Sequence, residues 1–190
     1  MISAMPALKT KGIEVISSKK IHDGPAFSVF SDIVREGRHV GQRDVVRHGG
    51  SVVIAAFDDS RAKKDPKILL VRQYRYAADA YLWELPAGRV DRLEEKLDGA
   101  KRELREETGV TAKKWKHLFT FYASPGFLDE TMDVYLARDL KRGKAQPEDD
   151  EQIHVRWVTL RQSLKMVLSN QIRDAKTIST VLWLAHVRPA

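Results

Sequence analysis

The sequence predicts a mixed α/β (α+β) sandwich, strands interleaved with three helices, preceded by a small N-terminal antiparallel β-sheet. Three observations predict it. Gly49-Gly50 opens SVVIAAFDD, a nearly continuous apolar run of the kind a strand buried on both faces needs. Three stretches carry apolar residues at helical spacing, one of them with Leu97, Ala100 and Leu104 in a stripe that begins at Leu93. Before residue 49, three strand-like stretches are separated by turn-forming pieces, His22-Asp23-Gly24-Pro25 and Glu36-Gly37-Arg38.

Taken in order, residues 13–18, 27–35 and 42–48 are the three N-terminal strands. They make a sheet with little core of its own, which needs something to pack on, the main domain or a second copy of the chain. Residues 1–48 are therefore read as a β extension and 49–190 as the main domain. After the buried strand come the charged turn SRAKKDPK and a second strand, ILLVRQYRY. Pro86 and Gly88 keep the peptide AADAYLWELPAGRVD out of helix. The helix that follows ends at Thr108-Gly109, with Gly where a left-handed cap is expected. Residues 115–124 and 132–140 are expected strands, broken by Pro125-Gly126. The polar stretch 141–152 lacks hydrophobic period and is expected to be a loop. A short strand over 153–159 precedes helices over 160–170 and 175–187.

Composition narrows the function. The chain has 190 residues, 43% of them hydrophobic and 31% charged, as in a globular protein with a proper core. It has no cysteine, which excludes disulfides, thiolate metal sites and a cysteine nucleophile and fits a cytoplasmic location. No segment is apolar enough for a signal peptide or a membrane helix, so no membrane partner is expected. The formal charge of +7 suits a polyanionic small substrate. The basic residues are scattered rather than clustered, which argues against nucleic acid as a partner.

The chemistry concentrates between Gly88 and Val110. Glu103 and Glu107 are one helical turn apart, with Glu106 beside them. Like charges at this spacing oppose the helix, and so does negative charge near its C-terminus. Two such costs in one place suggest a compensating cation, and carboxylates suit Mg²⁺ or Mn²⁺. Arg102, Arg105 and Lys101 could instead balance the acids on a solvated face.

The spacing resembles a known signature. Gly88, five residues, Glu94, seven residues, then Arg102-Glu103-Leu104-Arg105-Glu106-Glu107-Thr108-Gly109-Val110 is similar to the box of the Nudix hydrolases at every fixed position. Those enzymes act on nucleoside diphosphates linked to another moiety. The flanks Gln73-Tyr74-Arg75, Trp83-Glu84-Leu85-Pro86-Ala87-Gly88, Ser124-Pro125-Gly126 and Ile172-Arg173-Asp174-Ala175-Lys176-Thr177 resemble the ADP-ribose pyrophosphatase branch. The resemblance implies a mixed sheet between helices, with the box helix on one face.

It also implies residue roles. Glu103 and Glu107, with Glu106 assisting and the Ala87 carbonyl, would hold Mg²⁺ (or Mn²⁺). Arg102 and Glu94 would orient those ligands. The general base would come from the late loop, where Glu151 fits best and Glu148, Asp149, Asp150 and Glu130 compete. Arg75 would meet a phosphate, and Glu84 a ribose or the adenine amino group. Phe27 or Phe30 would stack on adenine across a homodimer interface, with Arg47, Gly126 and Glu130 among the expected substrate contacts. The expected reaction is hydrolysis of ADP-ribose to AMP and ribose 5-phosphate. Its rivals are another nucleoside diphosphate sugar such as GDP-mannose, an oxidised nucleotide, or a non-catalytic module that binds a nucleotide or RNA.

Overall fold

In the structure, a computed structural model that describes residues 12–60, 65–145 and 153–187, the N-terminal stretches form β1 (Ile13–Asp23), β2 (Phe27–Glu36) and β3 (His39–His48). They pair as an antiparallel sheet in the order β1-β2-β3. Gly37, at φ +60°, makes the tight β2–β3 turn. The pairing of β1 with β2 slips twice, around Ile16 and around Ile21. All of β1 is exposed, including Ile13, Val15, Ile16 and Ile21. Residues 124–129 belong to this unit: Val46 N–H donates to the Phe127 carbonyl at 2.7 Å and Asp129 N–H to the Val46 carbonyl at 3.1 Å.

The second unit comprises the described residues of 49–123 and 130–190. In it β4 (Ser51–Asp58) and β5 (Lys67–Arg75) are followed by a 3-10 turn over Tyr76–Ala78. Next come β6 (Ala80–Glu84), β7 (Ala87–Arg89), α1 (Lys96–Thr108), β8 (Val110–Tyr122) and β9 (Thr131–Arg142). β10 (His154–Thr159), α2 (Leu160–Leu168) and α3 (Ala175–Val187) complete it. The sheet runs β10-β5-β4-β9-β8, with β6 on β5 and β7 on β4. The β4–β9 pair is parallel and the other pairs are antiparallel, so the sheet is mixed.

The β4 run explains the layers. Val52, Ile54 and Ala56 pack with Ala100 and Leu104 of α1, while Val53, Ala55 and Phe57 pack with Met166 of α2 and Leu184 of α3. Alternate residues serve opposite faces, so a strand between two helical layers must be apolar throughout. At roughly 2 kcal/mol for each large side chain buried, these two faces dominate the stability of the unit.

Several boundaries differ from expectation. Leu93 is not part of the stripe: it is 98% exposed at φ +72°, ahead of a helix that begins at Lys96. The peptide before the box contains two short strands, β6 and β7, that the Gly and Pro signals hid. β8 starts at Val110 rather than Trp115, and β9 runs two residues into the expected loop. Longer antiparallel pairing between β8 and β9 overrides the polar character of Lys141 and Arg142.

Candidate active site

Ala87 and Gly88 are placed by the core. On β7 they pair with Val53 and Val52, and the Pro86 carbonyl accepts from Ile54 N–H at 2.8 Å. The helix arrives against this strand. Gly88 lies so close to Glu103 that a Cβ added there would fall 2.0 Å from the carboxyl carbon and 2.2 Å from each oxygen. Glycine is required because the carboxylate occupies the place of a side chain. Glu107 lies deeper, 5% exposed, one turn along the same face.

Arg102 ties this arrangement together. Its Nε and Nη2 donate to the two Glu94 oxygens, each at 3.0 Å, and Nη2 also donates to the Arg89 carbonyl at 3.0 Å. Its Nη1 donates to Glu103 at 2.7 Å and Glu106 at 3.2 Å. One rigid fork thus joins the entry loop to the helix. The hydrogen bonds to Glu94 first, then Glu103 and Glu106, raise the guanidinium far above its ordinary range. Arg102 in turn holds the Glu94 carboxyl below the usual range. Glu94 fixes the loop by accepting from Asp91 N–H at 3.0 Å. Gly109 closes the helix at φ +70°, and its N–H donates to the Arg105 carbonyl.

The donor set is all oxygen: three carboxylates on one helical turn, one of them against the strand that carries Ala87 and Gly88. Among the described residues, no three acids or histidines close into a ready-made metal cage. A Mg²⁺-type ion does not need one, since it is held by one or two carboxylates plus substrate phosphates and keeps several waters. The crowded Gly88–Glu103 approach and the buried Glu107 fit such an ion.

The remaining candidates fall in different places. Glu84, expected to meet a ribose or the adenine amino group, is 1% exposed with both oxygens engaged by the chain's own cations. Arg75 grips it side-on, Nε to Oε1 and Nη2 to Oε2, both at 2.8 Å, and Lys176 Nζ donates to Oε2. Burial opposes the Glu84 charge, yet Arg75 and Lys176 outweigh it and hold the carboxyl below its usual range. The Arg75 side chain is 40% exposed, and its charge is reinforced by Glu84 first and also by Glu107 and Asp174. Glu130 accepts from Ser51 Oγ at 2.5 Å.

In the other unit, Arg47 pairs with buried Asp32 at 2.9 Å and covers the Phe30 ring at 4.6 Å. Phe27 is partly exposed against His22. Gly126 sits in a turn where Phe127 and Leu128 N–H both donate to the Ser124 carbonyl. Glu151, with Glu148, Asp149 and Asp150, lies outside the described residues.

Two clusters escaped the sequence reading. Lys176 and Asp174 were noted only as part of a flanking segment, although a lysine opening an apolar helix invites a search for its carboxylate. Asp133, a lone acid in an apolar strand, is buried and accepts from Lys96 at 2.5 Å, Thr120 at 2.6 Å and His117 at 3.1 Å.

Residues 47–180 match the family model described as the NUDIX domain. The chain belongs to the Nudix family. It is 35% identical over 180 residues to an ADP-ribose pyrophosphatase of Bacillus subtilis, covering 93% of this chain and 95% of the relative. To an ADP-ribose pyrophosphatase of Mycobacterium tuberculosis it is 38% identical over 174 residues, 89% and 81% of the two chains. A methanol dehydrogenase activator of Bacillus methanolicus is 31% identical over 174 residues, 90% and 91%. This Nudix hydrolase therefore comes from a family that typically uses a divalent metal. Among its described residues, no helix is long and apolar enough to cross a membrane.

Proposed function

We propose that this Nudix hydrolase is a Mg²⁺-dependent ADP-ribose pyrophosphatase. The observation that carries the diphosphate chemistry is the glycine cradle: the Glu103 carboxylate pressed against Gly88, with Glu107 buried one turn along the same helix. Glu103 and Glu107, with Glu106 and the Ala87 carbonyl, would hold the cation. When bound, it would neutralise the diphosphate and lower the pKa of a water. Arg102 and Glu94 keep the carboxylates in register, and Arg75 offers the guanidinium edge not used on Glu84 to a phosphate. A water oxygen bonds to one phosphorus and the bridging P–O bond breaks. The bridging oxygen leaves with the other phosphate, and the water's proton passes to a general base, for which we propose Glu151. The products are AMP and ribose 5-phosphate.

Two relatives named ADP-ribose pyrophosphatase, matched over most of their length, support this substrate. The exposed apolar side chains of β1 support a homodimer formed through the N-terminal sheet. A relative at similar identity carries a different name, methanol dehydrogenase activator, so membership of the family does not by itself fix the substrate, and cleavage of another nucleoside diphosphate derivative is the second reading. Comparing kcat/KM across ADP-ribose, GDP-mannose and oxidised nucleotides with Mg²⁺ decides between them. ADP-ribose should lead; a preference of more than about tenfold for a guanine sugar overturns the proposal.

A further inference from the structure

The entrance to α3 is chemically unusual. Lys176, in the first turn of a largely apolar helix, is 7% exposed, and its ammonium lies between two carboxylates. It donates to Glu84 Oε2 and, at 3.0 Å, to Asp174 Oδ1. Asp174 also caps the helix: its Oδ2 accepts Thr177 N–H at 3.0 Å and the Thr177 hydroxyl at 2.6 Å. Thr177 Oγ1 then accepts Leu85 N–H at 2.8 Å. The segment 84–85, just ahead of Ala87 and Gly88, is therefore pinned to α3 by both a side chain and a backbone amide.

The charges are arranged with equal care. Glu84 and Asp174 are matched by Arg75 and Lys176, a neutral quartet in which one buried carboxylate is shared by two cations. Burying unpaired charge is costly, so the set holds together only if complete. Remove Lys176 and the Arg75 guanidinium faces the whole Glu84 charge with Asp174 beside it, which cancels its attraction for another anion. Keep Lys176 and Arg75 is only partly neutralised. Its Nε–Nη2 edge is fixed on Glu84, Nη1 is not used in that pairing, and the charge of Glu107 also acts on it.

We infer that Lys176 is a positioning residue for phosphate binding: by sharing the Glu84 carboxylate, it leaves Arg75 oriented and with charge to spare for the substrate diphosphate. The inference rests on the proposed contact between Arg75 and a phosphate. It does not depend on which nucleoside diphosphate derivative is the substrate.

The test is a double-mutant cycle on kcat and KM with Mg²⁺ and ADP-ribose, or with whichever diphosphate the wild type turns over best. Lys176→Met should raise KM roughly tenfold with kcat changed by less than about threefold. Lys176→Arg should restore KM to within about threefold of wild type. In an Arg75→Ala background, Lys176→Met should change KM by less than about twofold, because the residue it acts through is gone. If Lys176→Met does not fold, Glu84→Gln with Lys176→Met removes one charge of each sign and keeps the volume; it should fold with KM within about threefold of wild type. Full additivity with Arg75→Ala, loss of kcat at unchanged KM, or no rescue by arginine overturns the inference. An unchanged KM in Arg75→Ala overturns it too. Failure of the wild type to cleave ADP-ribose while it cleaves another diphosphate overturns only the substrate assignment.

Discussion

Gly88→Ala isolates the cradle from the fold. The new methyl group would stand 2.0 Å from the Glu103 carboxyl carbon and 2.2 Å from its oxygens, whereas an ordinary contact begins near 3.4 Å. The carboxylate must therefore retreat by about 1.2–1.4 Å, more than the ~0.5 Å tolerance of a preorganised site. It is the far end of a flexible side chain, so the retreat costs the fold little. Gly88 is not among the glycines at positive φ, so alanine adds no backbone strain. Stability should change by less than about 1 kcal/mol, the ordinary scale for exchanging glycine and alanine.

The functional cost is larger. A displacement of about 1 Å in a positioned catalytic group is worth roughly 10²-fold in rate. The 2.7 Å bond from Arg102 to Glu103 would also be stretched or broken, which loosens the fork that holds Glu106. kcat/KM should fall by about 10²-fold, with weaker Mn²⁺ binding measured by paramagnetic resonance and a melting temperature within about 3 °C of wild type. Full activity with unchanged Mn²⁺ affinity would refute the cradle. A collapsed melting temperature would show instead that Gly88 serves the fold.

Four further outcomes follow from the same geometry. Gly109→Ala combines φ +70° with a Cβ 2.6 Å from the backbone of Gly143, Lys144 and Ala145, which cannot yield as a side chain does; it should cost at least ~2 kcal/mol, read as a fall of about 5 °C or more on melting. Burial opposes the Asp133 charge, but Lys96, Thr120 and His117 outweigh it and depress its carboxyl below the ordinary 3.8. Its contribution to stability is therefore fully present above about pH 4 and lost as the pH falls through the depressed folded value, so wild type should lose more stability than Asp133→Asn between pH 5 and pH 2. Glu151→Gln should lose rate with little change in metal affinity; unchanged turnover removes it as the base. Arg102→Lys cannot reproduce the two-edged fork and should lower kcat/KM by about tenfold or more, checked by steady-state kinetics beside Mn²⁺ binding.

The sheet and helices were largely legible because β4 and α1 obey simple periods. The six-residue apolar run Val52 to Phe57, opened by Gly49-Gly50, suits a strand served by both faces, and Leu97, Ala100 and Leu104 mark one side of one helix. Leu93 misled because apolar spacing cannot see a left-handed φ. β6 was hidden because its residues satisfy strand pairing with β5, a long-range condition, while the local signals Pro86 and Gly88 speak only of turns. Glu84 shows the same limit at the site. A glutamate near a binding motif reads as a ligand for substrate, and the pairing of Glu84 with Arg75 and Lys176, long-range in sequence for Lys176, is visible only in three-dimensional packing.

The acids of α1 illustrate why composition alone leaves two readings open. Their mutual repulsion asks for a cation, and the chain supplies one: Arg102 touches Glu94, Glu103 and Glu106 at once. Had the helix been merely a charged surface, that pairing would complete the account, since exposed ion pairs need no further partner and contribute little. Two features exceed it. Glu107 is buried rather than solvated, and Glu103 is pressed against a strand that has surrendered its side chain at Gly88. A surface salt bridge explains neither the burial of a second carboxylate nor the glycine. Arg102 therefore acts as a clamp on the Glu94, Glu103 and Glu106 carboxylates, and the Gly88 cradle and the buried Glu107 are the features on which the proposed cation and diphosphate site rests.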